Sequence, residues 1–273
     1  ETKFVDDESK DPNGRFFIGT PRTSDGSLLF LQHLIHKMNP EGSRIGIVFN
    51  GSPMFTGDAG SGESDIRKWI IENDWLECIV SLPDRMFFNT GITTYIWIVT
   101  NKKSNDRKGK VQLIDGSTFF SQLRKNLGNK GKYISEEQSQ QLFKIYQNNE
   151  ENEFCKIYPN NFFGYTKVVV EQPVIEDGEI KTDKIGNPKP DASKRDTEQV
   201  PLSENIDDYY EREVRPHLSD SWMDRSKDKI GYEINFTKYF YKFTPLRTVD
   251  EISIELKTLD DEIQKLSLEI NND

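Results

Sequence analysis

Leu76-Glu-Cys-Ile-Val-Ser81 and Ile92-Thr-Thr-Tyr-Ile-Trp-Ile-Val-Thr100 are apolar runs joined by Leu82-Pro-Asp-Arg-Met-Phe-Phe-Asn-Thr-Gly91. Runs of this length, rich in β-branched and aromatic residues, read as buried strands, and their succession reads as a hairpin. The connection is longer than a hairpin turn needs, and it places two adjacent phenylalanines, Phe87 and Phe88, outside the strands. Loops of that kind usually hold something.

Upstream, Leu28, Leu31, Ile35 and Met38 repeat at helical spacing behind a plausible cap at Ser24-Asp25, and Asn39-Pro40-Glu-Gly42 ends the helix. Arg44-Ile-Gly-Ile-Val-Phe49 is a short buried strand. Residues 64–73, with Ile66, Trp69 and Ile70, make a second amphipathic helix. The order helix, strand, helix, strand, strand gives an α/β sheet ending in an antiparallel hairpin. Residues 1–23 read as irregular, as though the chain began in mid-domain.

Downstream, Val111-Gln-Leu-Ile114 is one more strand, residues 135–146 a helix with Ser135 and Gln138 as a capping box, and residues 165–170 are β-rich. Residues 176–200 are polar, with Gly178, Gly186, Pro188 and Pro190, and read as a projecting hairpin or mobile loop without core. Val249, Ile252, Leu256, Leu259, Ile263, Leu266 and Ile270 are spaced alternately by three and four, a coiled-coil seam. Such a seam needs another helix, from this chain or from a partner subunit. The expected divisions are residues 1–150, a mixed α/β extension over 151–247, and the heptad helix over 248–273.

The 273 residues, 34% hydrophobic, suffice for a real core, and no run approaches a bilayer span, so the sequence reads as soluble and cytoplasmic. Cys78 and Cys155 form neither a metal-ligand spacing nor a disulfide framework. A net charge of -10 argues against gripping DNA through a broad basic face. Local basic stretches exist, with Lys102, Lys103, Arg107, Lys108 and Lys110 in one and Arg124, Lys125, Lys130 and Lys132 in the other. They are either solvated loops or a phosphate track.

Phe55-Thr-Gly-Asp-Ala-Gly-Ser-Gly-Glu-Ser64 has glycines at P-loop separation, but Glu63 stands where the phosphate-binding lysine would be, so a flexible surface loop is the preferred reading. A nucleotide-binding protein using this loop is therefore the weaker rival. His33 and His36 lie one turn apart with no third ligand, so no metal site is expected. Phe87 and Phe88 can stack on a planar ligand such as an unstacked base, or plug the end of the sheet.

Four stretches together resemble a family, the N6-adenine DNA methyltransferase or modification subunits of type I restriction-modification systems. They are residues 24–33, residues 60–71, Leu82-Pro-Asp-Arg-Met-Phe-Phe-Asn-Thr-Gly-Ile92 and Gly231-Tyr-Glu-Ile-Asn-Phe-Thr-Lys-Tyr-Phe-Tyr-Lys242. The resemblance implies the C-terminal part of a Rossmann-like, S-adenosylmethionine-dependent methyltransferase sheet whose last two strands form the hairpin above. It implies methyl transfer to adenine N6 of a flipped base. By carry-over, Phe87, Phe88, Asn89 and Thr90 line the target-base pocket, and Ser24, Asp25 and Phe30 lie on the helix beside it.

The Asn-Pro-Pro-aromatic motif and glycine-rich donor loop of the family do not occur in these residues, Asn39-Pro40 being a helix end. The resemblance puts both upstream of Glu1. No catalytic residue is therefore assigned, and the chain is expected to be inactive alone and not to bind the donor. The implied partners are DNA, a specificity subunit that reads sequence, and a restriction subunit. The heptad helix is the implied subunit contact. The alternative is a non-catalytic α/β scaffold that docks partners through that helix.

Overall fold

The computed structural model describes residues 2–243 and 245–272, with side chains described for residues 3–243 and 245–267. Glu1, upstream of which the catalytic motif is expected, lies outside the described residues. The irregular start expected for residues 1–23 is corrected, because Thr2–Lys10 form a helix, α1. The chain then folds back, Arg15 Nε donating to Glu8 Oε2 at 3.1 Å, and buries Phe16. Helix α2 (Ser27–His36) follows, its buried Leu28, Leu31 and Ile35 being three of the residues that predicted it. It starts later than the expected cap, since Asp25 turns back to accept from Ser27 instead.

Strand β1 (Arg44–Phe49), a short helix α3 (Ser52–Phe55) and α4 (Gly62–Glu72) come next. Ser61 caps α4 by accepting from Ser64 N–H at 3.3 Å. Strands β2 (Leu76–Ser81), β3 (Tyr95–Thr100) and β4 (Lys110–Asp115) build the sheet centre. A small hairpin, β5 (Ser121–Leu127) and β6 (Lys130–Tyr133), precedes α5 (Glu136–Asn148), which opens with the expected Ser135/Gln138 capping box. β7 (Cys155–Pro159) completes the order β1-β3-β2-β4-β7.

In this mixed sheet β2 and β4 are parallel, and β3 runs antiparallel between β1 and β2. β2 is buried along its whole length, which is why it reads as a continuous apolar run rather than an alternating one. β3 alternates instead. Tyr95, Trp97 and Val99 face the core beneath α2 and α4, while Ile96 and Ile98 face α5 with Cys78, Val80 and Ile114. Among the described residues nothing pairs with the outer edge of β1, where Val48 is exposed.

A second, antiparallel sheet is centred on β8 (Gly164–Glu171). From it projects an arm carrying β9 (Ile175–Glu176) and β10 (Glu179–Ile180), as the polar composition predicts. The expectation that residues 176–200 hold no core fails at the end of that segment. Asp196–Pro201 is a strand, β11, paired along β8, and Val200 is fully buried. Backbone pairing to a central strand stabilises a segment too polar to announce itself. Then follow α6 (Ile206–Tyr209), β12 (Trp222–Met223), β13 (Lys229–Tyr232) and α7 (Phe236–Phe240). β12 and β13 pair with the other edge of β8.

Residues 1–240 form one compact unit and 241–273 a second. The second contains α8 (Val249–Asn272), a continuous helix on which Val249, Ile252, Leu256, Leu259, Ile263 and Leu266 are exposed. Ile270 lies outside the residues whose side chains are described. No helix among the described residues is long and apolar enough to cross a membrane.

Candidate functional site

The parallel strands β1, β2 and β4 put their C-terminal ends on one edge of the sheet, the edge where open α/β sheets bind ligands. Three connections leave from it: the segment after Phe49, the loop after Ser81, and the segment from Gly116 to the β5–β6 hairpin. The ends of β2 and β4 are tied together. Ser81 Oγ donates to Asp115 Oδ1 at 2.8 Å, and Gly116 N–H donates to the Ser81 carbonyl at 3.1 Å. A Cβ on Gly116 would lie 2.5 Å from that carbonyl, so only glycine fits the turn.

The Phe87-Phe88 loop is held at both ends and braced from the side. Leu82 N–H donates to the Thr94 carbonyl at 2.8 Å, and Leu82, Pro83 and Thr94 are buried. Arg85 adopts a left-handed φ of 57°, and its carbonyl accepts from Gly131 N–H at 3.0 Å and Lys132 N–H at 3.2 Å. The Phe88 carbonyl accepts from Asn129 N–H at 3.0 Å. The β5–β6 hairpin, distant in sequence, is thus hydrogen-bonded to the loop at two points. At the tip Phe87 bridges Thr90, and the phenyl rings point out, Phe88 being 62% exposed and Phe87 37%. Tyr95 and Phe236, their ring centres 5.3 Å apart, are by contrast buried in the core.

The basic residues separate into two groups. Lys102, Lys103, Arg107 and Lys108 lie beyond the C-terminal end of β3 and before β4, at the opposite edge of the sheet, one strand length or about 17 Å from the loop. Two of them are committed internally. Buried Lys103 donates to Asp74 Oδ1 at 2.6 Å and the Lys110 carbonyl at 2.7 Å. Buried Arg107 donates to Gln112 Oε1 at 2.8 Å and lies over the Tyr146 ring. Lys102 reaches the Glu41 carbonyl. Arg124, Lys125, Lys130 and Lys132 instead lie on the hairpin that braces the loop. Lys132 pairs with Asp84 and lies over Phe120, and Lys130 Nζ is 5.1 Å from the Phe88 ring centre.

Ser24 and Asp25 form the turn before α2. Hydrogen bonds from the Ser27 hydroxyl and N–H hold the Asp25 carboxyl below the usual range despite its partial burial. Arg22, in the same turn, donates to Ser52 Oγ at 3.1 Å, so the turn lies near the segment after β1. Phe30 is exposed in a groove of about 520 Å³ that includes His33, Val48 and Phe49. Among the described residues no hydrogen bond, ion pair or ring contact links Ser24, Asp25 or Phe30 to Phe87–Thr90. The groove lining carries no carboxylate for a ribose diol or an amino acid ammonium, so it does not fit S-adenosylmethionine.

The glycine loop expected to be flexible is anchored. Arg67, buried, donates to the carbonyls of Pro53, Thr56 and Gly57, and to that of Tyr232. Glu63 points inward, accepting from Arg22 N–H at 2.9 Å, and Asp58 pairs with Lys167. Within the loop, Ala59 N–H donates to Asp58 Oδ1, Ser61 N–H to the Asp58 carbonyl and Ser64 N–H to Ser61 Oγ, so these amides face protein acceptors rather than a phosphate. His33 Nδ1 is 3.1 Å from Arg15 Nη1, and no cluster of metal ligands occurs among the described residues.

Within the first unit, residues 231–240 act as a strap across α3 and α4. Tyr232 N–H donates to Ser64 Oγ at 3.0 Å, Tyr232 Oη to Glu72 Oε1 at 3.1 Å, and Ile234 N–H to the Met54 carbonyl at 2.9 Å. Sequence reading missed two parts of the site, the hairpin brace and buried Arg67. The brace had a signal, Gly128-Asn129 between two polar runs, with Gly128 at φ 63°. One arginine among the charged residues of an amphipathic helix gave none.

The sequence profile of the N-6 DNA Methylase family matches residues 1–182. The methylase subunit of the type I restriction enzyme HindI from Haemophilus influenzae is 37% identical over 108 residues, 40% of this chain and 23% of that protein. The MjaIX methylase subunit from Methanocaldococcus jannaschii is 26% identical over 170 residues, 60% of this chain and 28% of that protein. Both matches thus span about a quarter of those relatives. A crystal structure of a type I restriction-modification methyltransferase subunit from Streptococcus thermophilus aligns with a TM-score of 0.49 at 22% identity, over 57% of this chain and 31% of that one.

Proposed function

The chain belongs to the N-6 DNA methylase family, and from that premise we propose that it is part of a type I modification subunit that methylates adenine N6 in DNA. The observation that carries the reading is the braced loop at the C-terminal strand edge with Phe87 and Phe88 turned outward. A loop built this way is suited to stack an aromatic face on an extruded adenine, with Asn89 and Thr90 beside it. β1, β3 and β2, with the antiparallel strand in the middle, would be the end of a Rossmann-like sheet. The donor, S-adenosylmethionine, would supply the methyl group from a site built by other parts of the subunit.

The similar proteins are methylase subunits of type I restriction enzymes, which supports DNA, a specificity subunit and a restriction subunit as partners in the cytoplasm. The divisions 1–150, 151–247 and 248–273 would then be catalytic-domain half, extension and subunit contact. The exposed seam of α8 favours a coiled-coil contact with the specificity subunit. That same exposure favours a second reading, a non-catalytic scaffold docking through α8.

Calorimetric titration of S-adenosylmethionine into this chain, and into the complete subunit, separates them. Binding by the complete subunit and not by this chain is expected. Binding by neither would leave the scaffold, and binding by this chain would mean that the donor site lies within it.

A further inference from the structure

Of the hairpin cations without an ion pair among the described residues, Arg124, Lys125 and Lys130, Lys130 is the one set against the loop tip. Lys132 is neutralised by Asp84, whereas Lys130 forms no ion pair among the described residues, and no acid occurs between residues 122 and 133. Its ammonium sits over one face of Phe88, within cation–π range at 5.1 Å. The backbone fixes this arrangement, because Asn129 N–H is bonded to the Phe88 carbonyl and a Cβ on Gly128 would lie 2.7 Å from the same oxygen. The backbone segments that carry Phe88 and Lys130 are therefore joined at this point.

The geometry points to Lys130 as the contact for the backbone phosphate flanking the extruded adenosine, with the β5–β6 hairpin coupling that contact to the target-base loop; this rests on the reading of Phe88 as a base-stacking residue. A base on the free face of Phe88 leaves its own 5′ or 3′ phosphate near the ring edge, within reach of a four-carbon stem rooted beside the opposite face. A compact ammonium without a carboxylate partner releases a phosphate counterion on binding, and Lys132 already has its partner. The same ammonium orients the ring. Lys130 is thus a positioning residue as well as an anchor, and the Lys108 group, at the other edge, takes no part in it.

The test uses the complete methyltransferase and a duplex carrying its site, with each phosphate around the target adenine replaced in turn by a neutral methylphosphonate. Wild type loses about threefold to tenfold in affinity at one flanking position. Lys130→Gln loses a similar factor on the natural duplex, becomes insensitive to that methylphosphonate, and lowers the slope of log affinity against log salt by about 0.9. Lys130→Arg restores the slope, and Lys108→Gln leaves it unchanged. Full methylphosphonate sensitivity with an unchanged slope in Lys130→Gln would overturn the inference. 2-Aminopurine at the target position reports separately on Phe88: a fluorescence rise in wild type that Phe88→Ala abolishes upholds base stacking, and no rise in wild type defeats that reading whatever Lys130 does.

Discussion

Arg67 Nε donates to the Tyr232 carbonyl at 2.6 Å, joining residues 165 positions apart. The same guanidinium holds Pro53, Thr56 and Gly57, so one buried side chain ties α4, the glycine loop and the strap together. Burial lowers its pKa to about 10, which still leaves it protonated at neutral pH.

Arg67→Met leaves four carbonyl bonds unmade, and the expected loss is roughly 3 kcal/mol or more in unfolding free energy. Arg67→Lys recovers less than half, because an ammonium cannot reproduce the planar fork. Urea denaturation, read as midpoint at constant slope, checks both; a loss under about 1 kcal/mol for Met would refute the tie.

Asp74 and Lys103 predict the acid limb of stability. Burial alone would raise the Asp74 carboxyl, but hydrogen bonds from Lys103, Asn160 and Gly109 N–H outweigh it and hold its pKa below the usual value. A carboxyl depressed in the folded state stabilises above its unfolded pKa of about 3.9 and loses that contribution as pH falls through the folded value. Asp74→Asn, which keeps the left-handed φ of 58° tolerable, strands buried Lys103 and costs about 2 kcal/mol at pH 7. The urea midpoints of wild type and variant should converge as pH falls below about 4, the unfolded value, and through the lower folded one.

Phe88→Ala in the complete subunit removes a stacking face worth about 1–3 kcal/mol, hence a loss of roughly fivefold to a hundredfold in kcat/KM for methylation. Folding is spared because the ring is exposed. Unchanged methylation kinetics and unchanged DNA affinity would remove Phe88 from the pocket.

Leu259→Asp with Ile263→Asp places two charges on the exposed seam of α8. Co-purification of the complete subunit with its specificity subunit should fall sharply, since charges at seam positions exclude knobs-into-holes packing. Undiminished recovery would assign α8 another role.

The central hairpin, α2, α4, the α5 cap and α8 were legible because periodicity and capping are local. β2 is buried on both faces, Leu28, Leu31 and Ile35 recur on one face, and Ser135 sits three residues before Gln138. β11 was not legible, because Asp196-Thr-Glu-Gln-Val-Pro201 is polar and owes its form to pairing with β8. α1 was missed for want of an apolar stripe. At the site, Phe87 and Phe88 could be singled out from sequence as adjacent aromatics in an overlong loop. Their brace could not, since Gly131 and Asn129 act through backbone N–H groups that any residue but proline carries. The basic stretches looked equivalent by charge; burial of Lys103 and Arg107 separates them.

The most direct measurement is nucleoside mass spectrometry of duplex DNA after incubation with S-adenosylmethionine and the complete subunit in its complex. The account predicts N6-methyldeoxyadenosine, its rate cut by Phe88→Ala. Methyl groups on cytosine alone, or no methylated nucleoside from an intact complex that binds DNA, would contradict it.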